Sequence, residues 1–212
     1  LPNEDSSLKF PNFIVPNSMQ NHGNFIISLG NLCRWLGEKA TELGAEIFPG
    51  FAAAEILYNE DGSVKGVATG DMGVDADGNQ KSSYEPGFEF HAKYTIFAEG
   101  CRGHLGKEII NKYALDAECD PQHYGIGIKE VWQTSDQKNY IDGLSIHSMG
   151  YPLDNETYGG GFIYHYEKKI AVGLVIGLDF KNPYLDSHAY LQILKTHPFV
   201  SQMLTNSKCI AY

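Results

Sequence analysis

Apolar residues fall at helical spacing most clearly at Leu29, Leu32, Cys33, Leu36, Ala40 and Leu43, and Gly44 follows as a stop. This predicts a helix. Residues 1–24 are largely polar and Pro-punctuated, with Phe10, Phe13, Ile14 and Val15 as an apolar island, and Pro11 and Pro16 exclude a helix, so extended chain is expected there. Behind the helix the pattern shortens to strand-length runs. Ala45–Phe48, Ala52–Tyr58, Val64–Thr69, Phe88–His91 and Tyr94–Ala98 read as strands of a meander. Pro49-Gly50, Asn59–Ser63 and Asp75–Asn79 read as the turns between them. Leu105–Tyr113 returns to a helical pattern. From Tyr124 onward strand follows strand: Tyr124–Trp132, Leu144–Tyr151, Gly161–Tyr166 and Ile170–Leu178, with a hairpin at Glu167-Lys168-Lys169. Asp186 then caps a helix, Ser187–Thr196, whose apolar face is Tyr190, Leu191 and Leu194. His197-Pro198 ends it, and Phe199–Leu204 forms a short second helix.

The change of pattern near Leu115 separates a helix-plus-hairpin region from a continuous antiparallel one, so the fold class is α/β or, more loosely, α+β. Within the first region, Tyr94–Ala98 feeds Glu99-Gly100 and then the helix at Leu105. A strand entering a helix through glycines brings bare N–H groups to a positive helix end, which suits a phosphate. Two glycines alone fit an ordinary strand-to-helix turn better. No G-x-G-x-x-G occurs in the chain. Asp75, Asp77 and Asn79 do not make a calcium loop, because Gln80 stands where the loop needs glycine.

Composition narrows the function. A formal charge of −10 over 212 residues argues against a nucleic-acid footprint or a polybasic grip on lipid. The eight histidines are scattered without metal-ligand spacing. Cys33, Cys101, Cys119 and Cys209 form no C-x-x-C pair, so neither a disulfide framework nor a cluster is expected, and each reads as a small buried hydrophobe. No hydrolytic triad and no catalytic side chain stands out. No signal peptide opens the chain, and no apolar run reaches membrane-spanning length. With no initiator Met and an apolar close at Ile210-Ala211-Tyr212, the sequence reads as an internal segment of a longer protein.

Several ordered blocks carry a resemblance: Met19–Ile26, Trp35–Glu38, Phe48–Glu55, Ile96–Leu105, Tyr124–Glu130, Thr157–Phe162, Gly177–Tyr184 and Ile210–Tyr212. Together they resemble the electron transfer flavoprotein–ubiquinone oxidoreductase family nearly end to end, though only its middle. The resemblance implies part of a two-dinucleotide-fold FAD-binding domain (25–115) and part of an antiparallel-sheet ubiquinone-binding domain (1–24 and 116–212). It implies electrons passing from electron transfer flavoprotein through a four-iron–four-sulfur cluster and FAD to ubiquinone. The cluster domain, the membrane-dipping segments and the G-x-G-x-x-G lie outside this chain, so the isolated chain would be inactive and its FAD site incomplete. The parent would sit peripherally on an inner membrane, on a bacterial cytoplasmic face or a mitochondrial matrix face.

By the same resemblance, Phe51 and Ala52 flank the adenine of FAD, and Ala98, Glu99 and Gly100 run along its phosphate or ribose region. Gly159 and Gly160 meet ubiquinone, with Tyr158 as a neighbour; a flat ring can press on glycine backbone where no Cβ holds it off. Read without the resemblance, three successive glycines at a strand start mark a bulge or a close strand crossing. Ser28 stands where related flavoproteins often carry Arg, which excludes an ion pair to FAD from that position. His22 and Asn24 belong to a shared block without an assigned contact. Two other readings stay open: another FAD enzyme of this architecture, such as an aromatic hydroxylase or prenyl reductase, and a non-catalytic quinone-binding module.

Overall fold

The computed structural model describes residues 1–135, 138 and 140–212, with the backbone alone at residue 19. Two compact units divide them: 1–35 with 122–212, and 36–121. The first crossing falls inside a helix, between Trp35 and Leu36, and the second between Pro121 and Gln122.

The first unit is built on a five-stranded antiparallel sheet, in the order β10-β6-β9-β8-β7. The strands are β6 (Gly125–Thr134), β7 (Ser145–Ser148), β8 (Gly159–Tyr166), β9 (Lys169–Gly177) and β10 (Ser207–Ala211). β8 and β9 form a hairpin whose tip, Glu167 and Lys168, has φ of 49° and 57°. That left-handed pair matches the twist of the flanking strands. One face of the sheet is covered by α3 (Ser187–Thr196) and α4 (Pro198–Met203). Ile163, Ile170, Val172, Leu174 and Ile176 meet Leu191, Leu194 and Val200 there, all buried. α3 begins where Asp186 accepts from the N–H groups of His188 and Ala189, and α4 where the His197 ring accepts from Phe199 N–H. A buried polar node ties α3 to β6. Glu130 accepts from Lys195 Nζ at 2.7 Å and 2.8 Å, from Gln192 Nε2 at 3.1 Å and from Trp132 Nε1 at 2.8 Å.

The second unit holds two small antiparallel sheets. β2 (Val64–Thr69) lies between β1 (Ala53–Tyr58) and β5 (Glu89–His91), and β3 (Met72–Val74) pairs with β4 (Gln80–Glu85). α2 (His104–Tyr113) packs on β1: Tyr58 Oη donates to Glu108 at 3.0 Å, and the Lys112 ammonium lies 3.3 Å from the centre of the Tyr58 ring. Burial and the Glu108 carboxylate push the Tyr58 phenol up to about 12. The Asp75–Asn79 tip is a hydrogen-bonded turn, with Asp75 accepting from Asp77 and Asn79 N–H groups.

Five expectations need correction. The segment around Pro11 and Pro16 is not extended throughout: single 3-10 turns span Asn12–Ile14 and Asn17–Met19, each opening directly after a proline, whose fixed φ suits the start of a helical turn. Ala45–Phe48 and Tyr94–Ala98 are extended but form no strand, and Tyr94 and Ile96 are 90% and 88% exposed. A strand needs a hydrogen-bonding neighbour, and among the described residues none lies beside them. The stripe of α1 (Leu29–Glu42) is not buried. Cys33, Cys101 and Cys119 are exposed and Cys209 is half-buried, so they are not the core hydrophobes their spacing suggested. The closing apolar run is β10, a sheet edge paired with β6 from Ser207↔Thr134 to Ala211↔Val131. Its pattern is too short and mixed to announce a strand.

Candidate functional site

The glycine run Gly159-Gly160-Gly161 opens β8, between β9 and the end of β7. Gly159, Gly160 and Gly161 pair with Ile176, Val175 and Leu174 of β9, and Gly161 also pairs with Ser148 at the end of β7. The backbones approach so closely that side chains do not fit. A Cβ on Gly160 would lie 2.1 Å from Ser148 O; on Gly159, 2.2 Å from Val175 O; on Gly161, 2.7 Å from Ser148 Oγ. The close-crossing reading of the glycines is therefore right as structure. It leaves open what the backbone there presents.

Backbone parity answers part of that. Gly177 N–H donates to Tyr158 O at 2.7 Å, and His165 N–H donates to Leu144 O at 2.9 Å. Even-numbered residues of this strand thus point their polar groups to β9 and odd-numbered ones to the β7 side. Gly160 is turned into the ladder with Val175. Gly159 is turned to the side where β7 has already stopped at Ser148. Beyond that end, Tyr151 N–H donates to Leu1 O at 2.9 Å as the chain turns away. Tyr158 and Met149 are both exposed, at 81% and 73%.

At its glycine end the face of this sheet opposite α3 carries few large side chains. By register it presents Gly127 from β6, His147 from β7, Gly160, Phe162 and Tyr164 from β8, and Ala171, Gly173 and Val175 from β9. The Phe162 ring occupies the space over Gly173, where a Cβ would come within 2.2 Å of Cζ. Phe162 stacks on Tyr164 with centroids 5.0 Å apart, and Tyr164 Oη is hydrogen-bonded to His147 Nε2 at 2.7 Å. Burial pushes the Tyr164 phenol above its ordinary value. Sequence reading missed this His–Tyr pair, because only the β7–β8 register brings the two together.

The residues assigned to FAD lie in the second unit. Phe51 is half-buried and Ala52 exposed at the entry to β1. The Phe51 ring meets Phe48 at 6.3 Å and Phe88 at 6.4 Å between centroids, and Phe48 meets Phe90 at 5.4 Å. Ala98, Glu99 and Gly100 are exposed irregular chain leading into the turn at Cys101-Arg102 ahead of α2, with Gly100 at φ 79°. The end of α2 is not left open for a phosphate. Glu99 folds back over Gly103 and accepts from Leu105 N–H at 3.3 Å and from Gly106 N–H at 2.6 Å. An internal carboxylate thus holds donors that an external anion would use. Gly103 is required beneath it, since a Cβ there would lie 2.3 Å from Glu99 Cβ. The backbone of Ala98 and Gly100 stays exposed beside it. Among the described residues no group of three or more His, Cys, Asp or Glu side chains is placed to hold a metal ion.

The region of the five-stranded sheet defines the class. Residues 124–212 match the family described as "ETF-QO, ubiquinone-binding". Over its whole length the chain is 54% identical to the electron transfer flavoprotein-ubiquinone oxidoreductase of Pseudomonas aeruginosa, of which it covers 39%. It is 52% identical, over 92% of its length, to the human mitochondrial protein of that name, covering 32% of it. Against the Dictyostelium discoideum mitochondrial protein the identity is 50% over 99% of the chain and 34% of that protein. The chain belongs to the electron transfer flavoprotein–ubiquinone oxidoreductase family. It spans about two fifths or less of the length of these relatives.

Proposed function

We propose that this chain is the central portion of an oxidoreductase that passes electrons from electron transfer flavoprotein, by way of FAD, to ubiquinone. The observation that carries this reading is the start of β8, where bare glycine backbone lies beside the end of β7. In this reading the quinone head lies flat against Gly159 and Gly160, with Tyr158 at the margin. The parity of the strand favours Gly159 as the residue whose N–H or C=O meets the quinone, while Gly160 is turned into the ladder with Val175. Gly160 is a poor choice for substitution, because any side chain meets Ser148 O before it meets a ligand.

FAD, when bound, supplies a carrier that accepts electrons and passes them on to the quinone. This chain would contribute only part of its site. Phe51 and Ala52 would flank the adenine through their backbone, and Ala98 and Gly100 would run along the phosphate or ribose. Glu99 would shape that turn from its position across α2. A four-iron–four-sulfur cluster would belong to a region outside this chain. No helix among the described residues is long and apolar enough to cross a membrane. The proposed location is the surface of an inner membrane, where ubiquinone is reached.

A photoreactive short-chain ubiquinone tests the site. In the full-length, flavin-loaded enzyme, illumination should label the peptide 147–166, and an excess of unmodified short-chain ubiquinone should suppress the labelling. Suppressible labelling confined to other peptides would refute the assignment.

A further inference from the structure

Reduction of a quinone to a quinol consumes two electrons and two protons, and the glycine backbone of β8 holds no acid to give one. We propose that His147, oriented by Tyr164, donates a proton to a carbonyl oxygen of the bound quinone. The proposal rests on the reading that the quinone head lies at Gly159 and Gly160.

Four observations place His147 for this. It lies on the sheet face that carries Gly160, in register with Phe162. Phe162 is two residues along β8 from Gly160, about 7 Å at strand rise, which suits the far side of a flat six-membered ring held at the glycines. His147 is exposed, and its Nε2 is bound to Tyr164 Oη at 2.7 Å, with the rings edge to face at 70°. That bond fixes the ring and leaves Nδ1 without a partner among the described residues. The stack of Phe162 on Tyr164, at 5.0 Å and 27°, then gives a flat apolar wall beside the ring, with Gly127, Ala171 and Gly173 keeping the rest of the face low. The ionisable groups that share this face are Tyr164 and Tyr166 from β8, Lys169 from β9 and Lys129 from β6.

The step balances as follows. A bound, reduced flavin would supply the two electrons. Protonated His147 gives its Nδ1 proton to one quinone oxygen, where an O–H bond forms and a neutral imidazole remains. Water supplies the second proton at the other oxygen and reprotonates His147 from its exposed side. Tyr164 keeps its phenol proton and stays hydrogen-bonded to Nε2 throughout, which makes it a positioning residue.

The test uses the full-length, flavin-loaded enzyme with a short-chain ubiquinone as acceptor. His147→Ala should lower kcat about 100-fold, the low end for loss of a general acid. KM for the quinone, flavin content and flavin reduction by electron transfer flavoprotein should stay within twofold. Added imidazole should restore part of the turnover. A solvent deuterium isotope effect should grow on quinone reduction, because proton delivery then limits the rate. Tyr164→Phe should lose less, about tenfold in kcat, with Phe162 still stacked. Three outcomes would overturn the proposal. Unchanged kcat in His147→Ala removes the residue from the step. A loss without imidazole rescue and without a changed isotope effect makes its role structural. A loss of flavin makes this face part of the flavin's seat. Photolabelling separates this from failure of the site itself. Suppressible labelling of peptide 147–166 with turnover intact in His147→Ala sinks the proton donor alone, whereas labelling elsewhere in the unsubstituted enzyme sinks the site.

Discussion

Helices α1 and α3 carry apolar stripes of the same kind, yet one lies open and the other closed. In α3, Leu191 and Leu194 are buried against the five-stranded sheet; in α1 no residue is buried, and Leu36 is 49% exposed. α1 straddles the boundary of the two units, and the units themselves differ in the same way. Ten buried hydrophobic side chains, from Leu153 to Val200, lie in the unit of 1–35 and 122–212, against Ile56 and Leu105 alone in 36–121, among the described residues. Amphipathic spacing says that a helix has a face to bury. Whether the face is buried depends on a partner surface, and that is settled by tertiary structure. The sheet that seats the proposed quinone site is therefore the well-cored part of the chain, and the part assigned to FAD is thinly cored.

The largest break in this contrast should come from the polar node under α3. The Glu130 and Lys195 side chains are only 10% and 15% exposed. Lys195→Met leaves the carboxylate buried with its counter-charge gone. Breaking such a pair costs roughly 3–5 kcal/mol. Urea unfolding followed by the fluorescence of Trp132, whose indole N–H bonds Glu130, should show that loss. A change below 1 kcal/mol would mean the node is wetter and weaker than it looks. Next in size is a matched pair of truncations. Leu191→Ala removes a fully buried side chain and should cost roughly 2–5 kcal/mol. Leu36→Ala, on the open stripe of α1, should change stability by less than about 0.5 kcal/mol. Equal losses for the two would show that α1 is covered in solution.

Acid should erode the well-cored unit by a smaller amount and in two stages. His165 is fully buried and stacked on Tyr140, its Nδ1 accepting from Ile141 N–H. Burial holds its pKa below the ordinary imidazole value. The unfolded chain therefore takes up the proton first, and stability present above about pH 6.5 is lost as pH falls toward the folded value. At Glu130, burial raises the pKa, but hydrogen bonds from Lys195, Gln192 and Trp132 outweigh it and leave the carboxyl below the usual range. Its contribution persists until the pH drops below about 4.3 and is lost on passing through the folded value. Urea midpoints measured from pH 8 to pH 3 should show both stages, and His165→Phe should remove only the upper one.

Legibility in the sequence follows the same divide. α3 was readable to the residue, because Asp186 caps it and His197-Pro198 stops it, both local signals. The β8–β9 hairpin was readable from two apolar runs around Glu167-Lys168. Ala45–Phe48 and Tyr94–Ala98 were read as strands because their composition suits pairing, and composition is silent on whether a neighbour exists. β10 was missed for the converse reason: Ser207–Ala211 is a strand only because β6 offers its edge. The glycines of β8 announced a close approach, and the structure has one. His147 and Tyr164 were invisible, since their bond depends on register across 17 residues. The turn around Glu99 is legible in the sequence, whereas its hold on α2 depends on the carboxylate folding back over Gly103.

That hold gives the smallest effect and the most direct reading on the less-cored unit. The Glu99 carboxylate takes the place of a side-chain cap that Gly103 cannot supply at the start of α2. Glu99→Ala should cost the 36–121 unit about 1 kcal/mol, the usual value of an N-terminal cap. Glu99→Gln should lose less, since an amide oxygen still accepts from Gly106 N–H while the charge facing the helix dipole is gone. Hydrogen exchange resolves the change by segment. Amides of the first turn of α2, Leu105 to Lys107, should exchange about fivefold faster in Glu99→Ala, with β8 and β9 unaffected. Faster exchange in the five-stranded sheet as well would mean that the two units do not unfold separately. Unchanged exchange at Leu105 and Gly106 would mean that Glu99 is free in solution, and the terminus of α2 would again be open to an anion.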